Sequence, residues 1–154
     1  KSPLMMELKQ IIDHSGISCS GIIVELTESG YLEGTPAVRS VWNDMKQLRI
    51  QIALDDFGTG YSNLMNISNL EPDIVKLDRG FTLKALSRSY EYQLMQYVIE
   101  MVHKLNQYVC VEGVETKEDL EKIKALGPDL IQGYYYSKPC SRDEFLKKFF
   151  DYSE

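Results

Sequence analysis

Short apolar runs alternate with amphipathic stretches along the whole chain, and this alternation limits the fold to one class. The first run, at residues 21–25, is rich in β-branched residues and is followed by apolar residues at helical spacing. The same order is repeated about five times. Alternation of this kind predicts an α/β fold in which parallel strands are joined by helical crossovers. Two architectures remain open, an open doubly wound sheet and part of a (β/α)8 barrel.

The predicted elements are spaced regularly from the first residues to the last. Strands are predicted at residues 21–25, 50–54, 73–78, 108–111 and 130–134. Helices are predicted from Pro3 to about residue 15, then at residues 38–48, 89–107, 117–126 and 142–152, and a short irregular stretch at 64–70. Ser141 is the expected cap of the last helix. We find no linker and no repeat of low complexity, so residues 1–154 are expected to form a single domain.

Composition excludes several classes of protein. With 17 basic and 23 acidic residues the chain has a formal charge of −6, which argues against a DNA-binding surface. No apolar run approaches the roughly 18 residues that a membrane-spanning helix needs. The three cysteines are odd in number and far apart, as in a protein whose thiols are reduced, so a cytoplasmic location is expected.

Polar side chains lie at or just after the carboxyl end of every predicted strand. In a parallel α/β sheet these ends share one edge, which is where active sites form. Seven of the side chains are carboxylates and one is a lysine. They are Glu25 and Glu28 after the first strand, Asp55 and Asp56 after the second, Lys76 and Asp78 on the third, Glu112 and Glu115 after the fourth, and Gln132 in the fifth.

Seven carboxylates on one edge repel each other, and one lysine cannot neutralise them. The pattern therefore predicts divalent metal ions, with two favoured. Hard oxygen ligands select Mg²⁺ or Mn²⁺, and His14 and His103 lie within predicted helices, away from the strand ends. Two ions bridged by the adjacent pair Asp55 and Asp56 would suit hydrolysis of a phosphodiester. Lys76 could orient the water or neutralise charge on the phosphate.

Simpler interpretations exist for some of these residues. Acids after strands are often helix caps, and Glu28 or Glu115 could merely brace a loop. Caps do not explain the adjacent acids Asp55 and Asp56, or the lysine among them. The tyrosines at residues 134–136 could stack a base, although packing is the more common role of such a cluster. The glycines at 58 and 60 lack the third glycine of a dinucleotide-binding loop.

Five motifs then identify a family that the chain resembles. They are ELTES at residues 25–29, DDFGTGYS at 55–62, KLD at 76–78, EGVET at 112–116, and QGY at 132–134 followed by SKP at 137–139. In this order they resemble the EAL domain, the bacterial cyclic di-GMP phosphodiesterase. The resemblance implies a TIM-like barrel whose first strand is antiparallel to the rest. It also implies hydrolysis of cyclic di-GMP to pGpG with Mg²⁺ or Mn²⁺, and inhibition by calcium.

The resemblance also implies a role for each motif residue. Glu25 and Asp55 would be metal ligands, with Asp55 bridging, while Asp56 and Glu112 would bind the second metal. Glu112 would also be the general base, and Lys76 would position the attacking water. Asp78, Glu115 and Gln132 would contact the metal ligands or bound water. Glu28, Thr59 and Ser62 would brace the DFGTG loop, which in this family links the site to a dimer interface.

Several features of the family are missing from the sequence. There is no Glu-Ala-Leu motif, no asparagine before Glu25, and no substrate-contacting arginine near such a motif. A complete (β/α)8 barrel typically has about 250 residues. The chain is therefore expected to be an incomplete barrel, about five βα units from the C-terminal part of an EAL domain, with an incomplete two-metal site.

Three expectations follow from the missing motifs. The chain alone should be weakly active or inactive, although its parent would be a phosphodiesterase. Its open strand edges favour self-association or a domain-swapped dimer. The alternative function is a non-catalytic module that binds cyclic di-GMP or dimerises, and an enolase-type lyase is disfavoured by the DDFGTG string. Membrane attachment through regions outside this chain is left open.

Overall fold

A computed structural model describes residues 3–27, 36–59 and 71–150 of the chain. Strands and helices alternate through the described residues, with a short 3₁₀ turn at Cys19–Gly21 before the first strand. The strands are β1 (Ile23–Thr27), β2 (Gln51–Phe57), β3 (Ile74–Leu77), β4 (Tyr108–Val111) and β5 (Leu130–Ile131). The helices are α1 (Pro3–Ser15), α2 (Pro36–Gln47), α3 (Arg79–Ser87), α4 (Ser89–Lys104), α5 (Lys117–Lys124) and α6 (Arg142–Phe149).

The five described strands form one sheet in the order β1-β2-β3-β4-β5. All four pairs are parallel, which confirms the predicted α/β fold. Each strand lies beside its neighbour in sequence, as in a (β/α)8 barrel, whereas a doubly wound sheet reverses its direction at a central strand. The order therefore selects the barrel from the two predicted architectures. Within the described residues the barrel is incomplete, with β1 and β5 at the edges of the sheet.

The two faces of this sheet are covered very differently. Residues such as Leu54, Val75 and Val111 alternate along the strands and pack against the helices in the main core, which also includes Met95 and Ile123. This helix-covered face has no access to solvent at its centre, because side chains from α4 and α5 fill the space above it.

The opposite face, which we call the inner face, carries a small buried cluster of Ala53, Ile74 and Cys110. Its margins are apolar but open, since Ile23, Tyr108 and Leu130 on the inner face are about half exposed. Strands that carry apolar residues on both faces are typical of parallel sheets that are covered on both sides. The inner face is thus built as the lining of a barrel.

A bulge interrupts β2 near its carboxyl end. The pairing with β3 shifts between Leu54 and Phe57, and both of these residues lie in the helix-covered core. Regular alternation would leave one residue between two that share a face, but here Asp55 and Asp56 occupy that length together. Asp56 takes up the irregularity with a φ of +61°, a conformation that Asp tolerates better than most residues.

Two Pro-Asp segments secure the opposite, amino ends of the strands. Asp73 precedes β3 and accepts a hydrogen bond from the backbone N–H of Ile52 through its Oδ2 at 2.8 Å. Asp129 precedes β5 and accepts from the N–H of Val109 at 2.7 Å. Asp129 Oδ2 also lies 2.9 Å from Nε2 of His103, which gives that histidine a structural contact far from the strand carboxyl ends. These bonds fix how far each strand reaches along its neighbour.

The predicted boundaries differ from the observed ones in a few places. The first strand begins at Ile23, two residues later than predicted, and the fifth ends at Ile131, three residues earlier. Helix α3 was not predicted at all, and α4 ends at Lys104 where residue 107 was expected. Ser141 caps α6 as predicted, through a capping box with Glu144. The predicted irregular stretch at 64–70 and the end of the last helix at 152 lie outside the described residues.

None of the described helices is long and apolar enough to cross a membrane. The longest of them, α4, has 16 residues.

Candidate active site at the carboxyl ends of the strands

One buried lysine lies at the centre of the predicted acidic edge. Lys76, on the inner face of β3, places its Nζ 2.8 Å from Oε1 of Glu25, 2.8 Å from Oε1 of Glu112 and 3.1 Å from Oδ1 of Asp55. The three carboxylates come from β1, β2 and the end of β4. The parallel sheet therefore brings together on one face residues that are far apart in sequence, as the strand-end pattern predicted.

The surroundings of Lys76 act on its charge in opposite directions. Burial lowers the pKa of Lys76, because it removes water from the ammonium, but contacts with Glu112, Glu25 and Asp55 raise the pKa by more. The net pKa is raised well above the ordinary value of 10.5. The side chain is only 7% exposed, so its positive charge is held permanently among the carboxylates.

Asp55 has a buried carboxylate oxygen whose contact among the described residues is the ion pair with Lys76. Its Oδ1 is buried and contacts Lys76, but no donor in the described structure is aligned with it for a hydrogen bond. Buried polar atoms usually have such a partner, and an exception needs a reason. A hard oxygen with a free lone pair, beside further carboxylates, is the ligand chemistry of Mg²⁺ or Mn²⁺. The residues present thus fit a divalent cation as a donor set.

The described side chains nevertheless do not converge tightly enough to form a ready-made metal cage. No group of three His, Cys, Asp or Glu residues within the described ranges is arranged to hold an ion. Asp56 is exposed at the rim, whereas Asp55 is largely buried. The physical reason is visible at the centre, where the ammonium of Lys76 takes the position around which the carboxylates gather.

The other predicted site residues have identifiable contacts. Asp78 caps α3 by accepting a hydrogen bond from the N–H of Gly80 at 2.7 Å, which is the simpler role considered for acids after strands. Thr59 donates its hydroxyl to the backbone oxygen of Asp56 at 3.1 Å and so closes the turn after the bulge. Gln132 is exposed, and its backbone N–H donates to Val111 at 2.9 Å. Glu28 and Ser62 lie outside the described residues.

An arginine that is not among the predicted site residues lies at the same edge. Arg79, the first residue of α3, donates through Nη2 to Oε1 of Glu115 at 2.7 Å and through Nε to the same oxygen at 3.2 Å. It follows directly after Asp78, so its place beside the strand-end acids was the signal that could have identified it.

Cys110 lies beneath the site on the inner face, in register with Lys76. Burial and the nearby Glu112 raise the pKa of its thiol to about 11. The thiol is therefore protonated at neutral pH and is a packing residue rather than a nucleophile.

Fold and site together define a class of protein. It is a TIM-like α/β barrel protein with an acidic, lysine-centred site at the carboxyl ends of its strands, the position at which such barrels carry out chemistry. The chain belongs to the EAL domain family, which it matches over residues 1–139. This confirms the resemblance found in the motifs.

Known proteins of the same kind are similar over nearly the whole chain. The cyclic di-GMP phosphodiesterase NbdA of Pseudomonas aeruginosa is 28% identical over 152 residues, which are 97% of this chain and 19% of NbdA. The chain thus spans about a fifth of the length of this curated relative.

Solved structures of EAL enzymes share the fold. The enzyme Bd1971, in a form bound to cAMP and cyclic di-GMP, superposes with a TM-score of 0.88 at 29% identity, over 96% of this chain and 39% of that one. A manganese and cyclic di-GMP complex of Klebsiella pneumoniae BlrP1 gives 0.84 at 26% identity, over 91% of this chain and 36% of that one. That family member therefore binds a divalent metal together with the cyclic dinucleotide.

Proposed function

We propose that this chain is part of a cyclic di-GMP phosphodiesterase, a hydrolase that converts cyclic di-GMP to pGpG. The observation that carries the proposal is the contact of Lys76 with Glu25, Asp55 and Glu112 at the strand carboxyl ends. Membership of the EAL family supports it, as does the similarity to NbdA, a cyclic di-GMP phosphodiesterase.

We propose that Mg²⁺ or Mn²⁺ serves this reaction, and that Glu25, Asp55, Asp56 and Glu112 would hold it. Support comes from the all-oxygen donor set and from the free lone pair on Asp55. The manganese in the BlrP1 complex is consistent with it. When bound, divalent ions lower the pKa of water and neutralise charge on a phosphate.

The side chains of the chain would divide the remaining work. Lys76 keeps its charge at neutral pH, so it can reduce the repulsion among the carboxylates and orient a water for attack at phosphorus. Glu112, which contacts Lys76, would accept the proton from that water. Gln132 and Glu115 would contact the attacking water or the carboxylates that hold the metal. Asp78 would fix the start of α3. Glu28, Thr59 and Ser62 would brace the loop after Asp56.

We propose further that residues 1–154 are a partial EAL domain with little activity alone. The half-exposed apolar residues of the inner face, Ile23, Tyr108 and Leu130, support this, because a closed barrel would bury them.

The same open face supports self-association with a second copy of the chain, including a domain-swapped dimer. Light scattering on the purified chain tests this. A mass of two chains is the expected result, and a stable monomer at micromolar concentration would contradict it. A cytoplasmic location, in which Cys19, Cys110 and Cys140 stay reduced, also belongs to the proposal, and all three are free thiols here.

The function is tested by comparing the purified chain with the gene product that contains it. Formation of pGpG in Mn²⁺ is followed by chromatography, and the longer protein is expected to turn over cyclic di-GMP while the chain alone is slow. Glu112→Gln in the longer protein should lower the rate about 100-fold or more, because the base is lost. Glu118→Gln is the matched control, since Glu118 is an exposed residue of α5.

Two outcomes separate the alternatives. Tight binding of cyclic di-GMP by the longer protein with no pGpG formed would favour the non-catalytic binding module. Turnover that is unchanged in Glu112→Gln would contradict the assignment of Glu112 as the general base and of the acidic edge as the active site.

A further inference from the structure

Arg79 ties the segment after β3 to the loop after β4. We infer that Arg79 is a positioning residue, which holds the loop at residues 112–116 so that Glu112 stays against Lys76. The inference rests on the proposed function, because it concerns the same acidic site. Both guanidinium donors of Arg79 reach one oxygen of Glu115, at 2.7 and 3.2 Å. Two donors on one acceptor define an orientation as well as a distance.

The stem of Arg79 is pressed against the backbone of this loop. A Cβ on Gly113 would meet Cγ of Arg79 at 2.4 Å, its Cβ at 2.8 Å and its Cα at 3.1 Å. Gly113 also has a φ of +78°, which most residues adopt only with strain. The loop therefore needs glycine here so that Arg79 can lie across it and reach Glu115.

The other side of the loop is already fixed by backbone contacts. Val114 donates its N–H to Gln132 at 3.3 Å and accepts from Tyr135 at 3.0 Å. The segment after β5 thus forms one wall, and Arg79 forms the other. Glu112 comes directly before this clamped stretch, and its N–H donates to the backbone oxygen of Leu77 at 3.1 Å.

Glu112 is thus placed by the strand ladder before it and by a clamped loop after it. An exposed ion pair contributes little to stability, and Arg79 and Glu115 are both well exposed. The contact with Glu115 should therefore matter mainly for the position of Glu112. Residues behind a metal ligand typically change metal affinity or activity by about 10- to 100-fold when replaced.

The test uses the chain with Arg79→Gln and Arg79→Lys, and Arg88→Gln as a matched control. Arg88 is an exposed arginine before α4 that pairs with Glu91 at 3.2 Å, away from the acidic edge. Binding of Mn²⁺ is measured from the free-ion signal in electron paramagnetic resonance. We expect Arg79→Gln to weaken Mn²⁺ binding about 10-fold. Arg79→Lys should recover part of the Mn²⁺ affinity, because an ammonium keeps the positive charge but not the two guanidinium donors. Arg88→Gln should bind Mn²⁺ as tightly as the unsubstituted chain does.

Hydrogen exchange of the peptide covering residues 112–116, measured without metal, is the second readout. Faster exchange in Arg79→Gln but not in Arg88→Gln is expected, because the loop loses one wall. If the unsubstituted chain binds no Mn²⁺ while exchange still responds in this way, the metal proposal fails and the positioning role of Arg79 stands. Unchanged exchange overturns the inference, and so does unchanged Mn²⁺ affinity in a chain that binds the ion.

Discussion

Replacing Lys76 by methionine is expected to destabilise the chain by about 3 kcal/mol and to reduce phosphodiester hydrolysis in the longer protein by about 100- to 1,000-fold. The substitution leaves Glu25, Asp55 and Glu112 side by side without the ammonium that they surround. Removing one partner of a buried ion pair typically costs about 3–5 kcal/mol. We expect the lower end of this range because Glu25 is half exposed.

The sign of this effect with pH follows from the raised pKa of Lys76. A group whose pKa is raised by folding contributes its full stabilisation below the ordinary value of 10.5 and loses it only as the pH rises through the higher folded value. The stabilising contribution of Lys76 is therefore fully present at neutral pH, where urea denaturation should be measured.

A second measurement links this prediction to the metal. Divalent cations should restore part of the stability of Lys76→Met, because an ion that binds only the folded chain stabilises it. Lys122→Met is the matched control, since Lys122 forms an ion pair of the same 2.8 Å length with Glu118 on the exposed face of α5. Its effect on stability should be small, because ion pairs between exposed side chains contribute little. Equal losses of stability in the two variants would show that the charge of Lys76 does not stabilise the three carboxylates.

Replacing Gly133 by alanine is the other change with a large expected effect. An added Cβ would lie 2.0 Å from the backbone oxygen of Val114 and 2.5 Å from its nitrogen. Backbone atoms cannot move aside as a flexible side chain can, so the two segments must separate. We expect a loss of about 3 kcal/mol, at the upper end of the usual cost of overpacking, measured by urea denaturation of the purified chain.

Gly21→Ala provides the comparison for this prediction. Gly21, like Gly133, is outside the left-handed region, but an added Cβ would meet no atom within 4 Å. Its effect should be within about 1 kcal/mol, and in the direction of greater stability if the backbone of Gly21 suits alanine. A Gly133→Ala chain that is as stable as Gly21→Ala would mean that the segments after β4 and β5 are not packed as described.

The sequence predicted the sheet well because the strands are short, apolar and regularly spaced. The fourth strand, residues 108–111, has the predicted bounds. The fifth was predicted to reach Tyr134, but it ends at Ile131, because Gly133 is packed against Val114 instead of continuing the ladder. That contact joins segments nearly twenty residues apart, so the apolar pattern of residues 130–134 alone could not predict it.

Helix α3 was missed for a different reason. Its apolar residues Phe81 and Ala85 are buried one turn apart, but the helix has only nine residues and offers too few turns for a clear period. Its cap, Asp78, belongs to the strand-end acids that the sequence pattern places at the site, and the side chain of such an acid can also cap the helix that follows.

The site was predicted in part. Strand-end positions placed Glu25, Asp55, Lys76 and Glu112 on one edge, and they do meet there. The bulge at Asp55 and Asp56 could not be predicted, because it depends on the register with β3. Nor could the sequence indicate that Arg79 reaches Glu115, since that pairing needs the β3 and β4 segments to be neighbours in space.

The order of the strands also bears on how the chain acquires its structure. Because each strand pairs with the one made just before it, every new βα unit finds its docking edge already present as the chain leaves the ribosome. None of the five described strands has to wait for a distant partner within this sheet, so the cost of closing long loops is spread over several small steps. Assembly can then run in one direction, from the amino to the carboxyl end, with each finished unit serving as the template for the next.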